Sequence, residues 1–284
     1  MPLPVFNKCH ATGAQRVAHL RSRGLIIRQP NVAARKIDDI GYERLRGYFL
    51  SRRDLTRPGR PFFDGTTYQD VIELYQCDAA LRHAIFPVVG QFEVLLRNSI
   101  SEALSGSYGS HPYFSAAAFR DAASCLRAVQ TFVAVYEKSN DRRAKHYAAT
   151  YGDPILPPIW TMKEFLTFGA TSRLLQSLSG PLRTHVAASF GVRSNEVFVS
   201  WVEALVDLRN ICGHHDRLFN RNFQKQPKAL RNPRVPLADP NTLCAILQCL
   251  DYLLRARGFP SAVEEMARGK LVRATAARLS EAGF

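Results

Sequence analysis

Three features of this sequence predict an all-α protein. Apolar side chains recur at spacings of three and four, as in Phe198, Trp201, Leu205, Leu208 and Cys212, one face of a helix with about 3.6 residues per turn. No series of short segments alternates apolar with polar residues in the manner of strands. Proline and glycine gather in a few breaks between the periodic stretches. With 284 residues and 46% hydrophobic content, the chain can bury a substantial core in one or two domains.

Taken in order, residues 1–35 are basic and carry Pro2, Pro4 and Pro30, which predicts at most a short helix between irregular ends. Residues 36–52 read as a helix, closed by the breaker-rich loop Arg57-Pro58-Gly59-Arg60-Pro61. Two long helices are predicted over 67–86 and 87–105, with Pro87 tolerated in a first turn or as a kink. A helix over about 115–138 is followed by Arg142, Arg143, Lys145 and His146, a cluster that either grips phosphate or is simply solvated. The Pro154 to Pro158 break opens the second half of the fold, with helices at about 159–178, 181–190 and 195–213. Residues 222–240, rich in Pro, Arg, Lys, Asn and Gln, read as an exposed basic loop, and helices over 241–257 and 260–282 finish the chain. There is no internal repeat.

Composition narrows the function classes. A formal net charge of +14 and a pI near 9.9 predict attraction to polyanions, nucleic acid above all, because neutralised phosphates release counterions. Arginine outnumbers lysine by 30 to 8, a bias that a GC-rich genome also produces but that suits bidentate phosphate contact and stacking on unpaired bases. Cys9, Cys77, Cys125, Cys212, Cys244 and Cys249 include no Cys-x-x-Cys and no paired metal-ligand spacing, so they are expected to be reduced core residues of a cytoplasmic protein. His214 and His215 beside Cys212 lack a further ligand pair, and adjacent histidines diverge around a helix, so neither a metal nor another cofactor is expected. The amino terminus has no long apolar h-region, and no stretch approaches the roughly 20 apolar residues that span a bilayer, so neither secretion nor membrane insertion is expected.

The candidate chemistry follows the periodic stretch that ends at Cys212. Residues 208–221 read Leu-Arg-Asn-Ile-Cys-Gly-His-His-Asp-Arg-Leu-Phe-Asn-Arg. Arg209 and His214 are separated by four residues, pairing a permanently cationic guanidinium with an imidazole that exchanges a proton near neutral pH. Those two groups suffice, in principle, to cleave RNA without a metal. Asn210, His214, Arg217 and Arg221 repeat at helical spacing, so a helix continuing through Gly213 would put His214 about 200° from Cys212 and turn this polar stripe away from the core. Arg209 falls between the two stripes, in reach of a phosphate or of a structural carboxylate.

The run from Trp201 to Arg221 closely resembles the signature of the bacterial abortive-infection (Abi) proteins of the AbiD/AbiF type, members of the HEPN superfamily of helical ribonucleases. Four further blocks share the resemblance: Tyr42 to Tyr48 (Tyr-Glu-Arg-Leu-Arg-Gly-Tyr), Thr67 to Arg82, Phe92 to Arg97 (Phe-Glu-Val-Leu-Leu-Arg), and Trp160 to Gly169. Together they span about residues 35–225. Two departures concern geometry, since the family often has Ala where this chain has Gly213 and a small residue where it has Asp216. Glycine costs about 1 kcal/mol relative to alanine inside a helix.

The resemblance implies an all-α, HEPN-like helical bundle with additional helices, divided here into a basic segment over 1–35, an Abi helical domain over 36–225, and a basic loop with C-terminal helices over 226–284 that pack on the same domain. It implies a phage-defence protein acting as an endoribonuclease, in which two Arg-x4-His motifs meet in a composite cleft. With one such motif here, a homodimer is required. His214 is expected as acid/base, Arg209 as stabiliser of phosphate charge and Asn210 as an orienting group, giving a 2′,3′-cyclic phosphate product. Glu93 and Arg97, matching the family's Glu-x-x-x-Arg helix, position Arg209 or RNA, or form an ordinary intrahelical pair. His215, Arg217, Asn220 and Arg221 are expected as RNA contacts or supports. Two other classes fit the same residues. One is a non-catalytic binder of a small non-coding RNA, in which the RNA restrains or directs the protein. The other is a helical scaffold whose polar stripe forms only a dimer interface.

Overall fold

The structure is a computed structural model that describes residues 9–231, 237–274 and 277–284. Residues 1–8 of the basic amino-terminal segment, 232–236 of the expected exposed loop and 275–276 of the expected last helix lie outside the described residues. Among the described residues there are twelve α-helices and no strand, only isolated bridges such as Ile26 with Thr67, so the chain is all-α. It divides into two compact units, one comprising the chain up to Leu81 with Gly269–Ala282, the other Arg82–Arg268 with Gly283–Phe284.

In the first unit, α1 (Gly13–Ser22) starts from a capping box: the Thr12 hydroxyl accepts from the Gln15 amide at 3.3 Å while the Gln15 side chain accepts from the Thr12 amide at 2.8 Å. It packs on α2 (Pro30–Ile40), and the approach is close enough that a Cβ on Gly13 would lie 2.3 Å from the Ala34 carbonyl oxygen. The sequence predicts one helix over 36–52; the structure instead has α2, beginning at Pro30, and α3 (Tyr42–Leu50). Proline preset for a first helical turn explains the early start, and Gly41 at φ 92° explains the break, a conformation that β-carbon sterics deny most residues. Buried Tyr48 of α3 donates to Asp78 Oδ2 at 2.5 Å, tying α3 to α4 (Tyr68–Tyr108) over apolar Leu45, Phe49, Val71 and Leu74.

The predicted pair of helices over 67–86 and 87–105 is a single helix, α4, with Pro87 in its interior. Proline removes one donor from the ladder without ending the helix, because apolar side chains on both sides of it, Ile85, Val89, Phe92 and Leu96, are all buried and hold the helix on the core. By length and composition alone α4 is long and apolar enough to cross a membrane, a test that the core helix of a soluble protein also passes.

In the second unit, α5 (Ala122–Glu137) begins later than the predicted 115, since Asp121 caps it by accepting from the Ser124 amide at 2.6 Å and 3-10 turns occupy 112–114 and 116–118. The basic cluster that follows lies on α6 (Arg142–Thr150), where Arg143 is taken up by Asp141 at 2.8 Å and Glu164 at 3.7 Å while Arg142, Lys145 and His146 stay exposed. The predicted helix over 159–178 is interrupted: α7 (Ile159–Met162) runs into a 3-10 turn, and Thr167 caps a fresh start for α8 (Phe168–Ser177). Next come α9 (Gly180–Ser189) and α10 (Asn195–Gly213), the latter as predicted. The unit is completed by α11 (Leu243–Ala256) and most of α12 (Val263–Arg273), which stops short of the predicted 282.

Helix α10 is the centre of this unit. Phe198, Trp201, Leu205, Leu208 and Cys212 are all buried, and α8, α9 and α11 pack around it. Phe92 of α4 meets Phe168 and Phe190 edge-on at 6.2 and 5.4 Å between ring centres, and Phe190 stacks on Phe198 at 5.4 Å. Residues 222–231 form an irregular and mostly exposed loop, as composition predicts, but one pinned to the core at three points. Phe223, Pro227 and Leu230 turn inward, the Trp201 indole donates to the Lys228 carbonyl at 2.8 Å, and the Lys228 amide donates to Ser200 Oγ at 2.9 Å. Of the six cysteines, Cys212, Cys244 and Cys249 are core residues, whereas Cys77 and Cys125 are half-buried and Cys9 is exposed.

Candidate functional site

The carboxyl-terminal end of α10 carries the predicted motif, and the way the helix stops decides where its side chains go. Gly213 is the last helical residue and His214 caps it at φ −88°, ψ 4°. His215 then takes φ 58°, its amide donating to the Cys212 carbonyl at 3.2 Å and the Asp216 amide to the Ile211 carbonyl at 2.9 Å. These two bonds are a Schellman motif, the turn that satisfies a helix's last carbonyls through a left-handed residue, usually glycine. The expected polar stripe therefore does not continue: His214 leaves the helix, and Arg217 and Arg221 lie beyond it on irregular chain. The reason is that Leu218 and Phe219 must turn back into the core, where both are buried, and a straight helix would carry them away from it.

Arg209 stands one turn before the end of α10, with a side chain 36% exposed. Its Nε pairs with Glu93 Oε2 at 3.4 Å, and its guanidinium carbon lies 5.7 Å from the centre of the Phe86 ring. Glu93, whose side chain is 8% exposed, accepts through its other oxygen from Arg97 Nη2. One buried carboxylate is thus shared by two arginines. It neutralises Arg97 and anchors Arg209 from behind through Nε, while among the described residues no protein acceptor meets the Nη edge of Arg209. That edge carries parallel N–H groups spaced for two phosphate oxygens.

Four residues of α4 serve this end of α10: Arg82, Phe86, Glu93 and Arg97, at intervals of four, seven and four. At about 100° per residue they fall within roughly 60° of one another on the helix. Buried Arg82 donates from Nη1 to the Asp216 carbonyl at 3.1 Å and so holds the turn that carries both histidines. Phe86 backs Arg209 and also Gly213, where an added Cβ would lie 3.4 Å from Phe86 Cε2 and 3.8 Å from Arg209 Nη1. An alanine there fits in ordinary contact.

Of the predicted site residues, then, the fold brings together Glu93, Arg97 and Arg209 and sets His214 five positions after Arg209 at the helix cap. His214 and Asn210 are exposed, and among the described residues the His214 ring has no hydrogen-bond partner. His215 and Asn220 are exposed at φ 58° and 51°, and Arg221 turns its Nη1 to the Arg217 carbonyl at 3.0 Å. Arg82 and Phe86 were not singled out from sequence. The available signal was their register with Glu93 and Arg97, which a helix read as broken at Pro87 conceals. Among the described residues no group of three or more His, Cys, Asp or Glu side chains is placed to hold a metal ion.

Chemically, the arrangement offers one cationic hydrogen-bond fork fixed by a buried carboxylate, and one solvent-facing imidazole next to it in the chain. It can bind an anionic group at Arg209 and exchange a proton at His214. Residues 35–220 match the model of the family described as Abi-like protein. No curated protein and no solved structure matches the chain.

Proposed function

This chain belongs to the Abi-like protein family, whose role is abortive infection in phage defence, and from that premise we propose that it is a metal-independent endoribonuclease of the AbiD/AbiF type within the HEPN superfamily, working in the cytoplasm. The observation that carries the reading is the shared carboxylate of Glu93: it holds Arg209 through Nε and leaves the Nη fork without a protein acceptor among the described residues, five positions before His214 at the helix cap. In the reaction, a ribose 2′-hydroxyl attacks the adjacent phosphorus and the bond to the 5′-oxygen breaks. His214 takes the hydroxyl proton or protonates the departing oxygen, and Arg209 stabilises the charge that builds on the phosphoryl oxygens. The products are a 2′,3′-cyclic phosphate and a 5′-hydroxyl, and DNA is refractory because it lacks the nucleophile. A homodimer supplies the second imidazole, with Asn210 and the exposed residues after it at the contact with RNA. The net charge of +14 supports an RNA partner.

The test is incubation of total RNA in EDTA with the wild-type protein and with His214→Ala, both also purified from the native operon with any bound RNA sequenced. Cleavage leaving cyclic phosphate ends and lost with the substitution is the expected result. A discrete bound RNA with no cleavage by either protein would replace the nuclease with an RNA-restrained binder.

A further inference from the structure

Away from α10, the first unit holds a cavity of about 810 Å³. Arg16 and His19 of α1, Arg46 of α3, Arg53 just after α3, and Arg60 line it, and Glu43 is the one acid among the lining residues. Glu43 is already engaged by Arg46 at 3.1 Å in an exposed pair. Arg16, Arg53 and Arg60 have no acidic partner among the described residues. Further, the Nε of Arg16 and both the Nε and Nη2 of Arg53 are buried with no hydrogen-bond acceptor. A fold normally satisfies such donors, so an unmet set of them around one cavity marks a place where an acceptor from outside belongs.

The aromatic contacts narrow the chemistry of that acceptor. The Arg16 guanidinium lies 4.3 Å over the Tyr42 ring and that of Arg53 lies 4.6 Å over Phe62. These rings attract the two guanidinium charges without accepting a hydrogen bond in the plane of the N–H groups, which keep their capacity to fork onto phosphate or carboxylate oxygens. Arg60 is delivered by a strained turn, at φ 49° directly after Gly59 at φ 76°, with its amide donating to the Arg57 carbonyl at 3.0 Å. The Arg23 guanidinium fastens this turn by donating to the Gly59 carbonyl. Non-glycine residues in that region persist where the surroundings impose them, and they concentrate at ligand sites. Burial, with Arg23 beside it and opposed by Tyr42, holds the Arg53 guanidinium below its ordinary value, and partial burial together with Arg23, Arg53 and Arg16 does the same for the His19 imidazole. Burial disfavours the charged form of both groups, and an anion bound beside them would offset that cost.

We infer that this cavity is a second anion site, separate from the α10 motif, that takes a phosphate ester or diphosphate group through Arg16, Arg53 and Arg60. Its volume suits a ligand the size of a nucleotide. The group belongs either to an RNA end or to a free nucleotide. Because the site shares no residue with the nuclease reading, each stands if the other falls.

The test uses the full chain carrying His214→Ala, so that RNA probes survive, titrated at constant ionic strength with pyrophosphate, with ADP, and with a short RNA bearing or lacking a 5′-phosphate. Saturable pyrophosphate binding, weakened at least about tenfold by Arg16→Gln, Arg53→Gln and Arg60→Gln and still present when Arg209→Gln removes the α10 fork, is the expected result. Preference for the 5′-phosphorylated RNA assigns the group to an RNA end, and tighter ADP binding without that preference assigns it to a free nucleotide. Arg60 is exposed, so Arg60→Gln decides the matter even if Arg53→Gln fails to fold, as circular dichroism will show. Pyrophosphate binding that equals that of sulfate at matched ionic strength, or that persists in Arg60→Gln and Arg16→Gln, overturns the inference.

Discussion

Replacing Glu93 by glutamine removes the one negative charge that two arginines share, and the cost can be worked from the geometry. At an effective dielectric constant of about 20, opposite unit charges at the 3.4 Å separation of Arg209 and Glu93 attract by about 5 kcal/mol before desolvation. Taking a carboxylate that is 8% exposed out of water offsets much of that, and solvent at the 36%-exposed Arg209 screens its share. The Arg97 pair adds to the total, because that guanidinium is only 18% exposed and loses its carboxylate partner. The net expectation for Glu93→Gln is a loss of about 2–4 kcal/mol, with two buried or half-buried cations left facing each other. Arg209→Gln leaves Glu93 with Arg97 and costs about 1 kcal/mol. Urea unfolding followed by circular dichroism measures both, and the double variant yields their coupling, expected at about 1–2 kcal/mol. For RNA cleavage the proposed function reverses the order, since it assigns the phosphate contact to Arg209. The shared-carboxylate account fails if Arg209→Gln destabilises as much as Glu93→Gln, or if the two losses add to within about 0.5 kcal/mol.

Three further outcomes are expected. Trp201→Phe leaves the Lys228 carbonyl without the indole donor at 2.8 Å, which should lower stability by about 1–3 kcal/mol at the urea midpoint. The Asp121 carboxyl, held near 2 by hydrogen bonds from Ser124 and then from Arg120, and the Asp141 carboxyl, held near 2 by hydrogen bonds from Arg143, both lie below the ordinary 3.8. Because the folded values are depressed, their contribution is complete above about pH 4 and lost as pH falls toward 2, so an Asp121→Asn, Asp141→Asn double variant should have a melting-temperature deficit that closes across that window. Thiol titration with a disulfide reagent at mildly alkaline pH should modify exposed Cys9 first and spare Cys244 and Cys249 until urea unfolds the chain, since burial raises Cys244 to about 11 and Cys249 higher still.

Periodicity made the helices around α10 legible because their apolar residues are strictly one-sided and their ends carry local signals: Ser194 caps α10 and Thr242 caps α11. Where the reading erred or stopped short, a local rule lost to packing or was overlooked in favour of composition. Gly41 ended a helix inside a stretch whose spacing looked continuous, and only its positive φ explains why. Residues 222–231 look like solvated loop by composition, yet three apolar side chains spaced among Lys and Gln pin them to the core. Composition averages over a segment; burial is decided residue by residue.

The site was legible as residue types and only half legible as geometry. Arg209, His214, Glu93 and Arg97 could be named from spacing and resemblance, but the stripe joining Arg82, Phe86, Glu93 and Arg97 crosses Pro87, and treating that proline as a helix boundary resets the register between Phe86 and Glu93. A proline costs a helix one hydrogen bond and a steric clash, roughly 3 kcal/mol. Burial of Ile85, Val89, Phe92 and Leu96 around it, at about 1.5–3 kcal/mol each, outweighs that figure. These magnitudes carry the helix through Pro87, align the stripe, and favour, of the two roles open to Glu93, the one that faces the end of α10. The helix cap was less accessible: a left-handed His215 is demanded by the inward return of Leu218 and Phe219, and that demand exists only once the core they enter has been built.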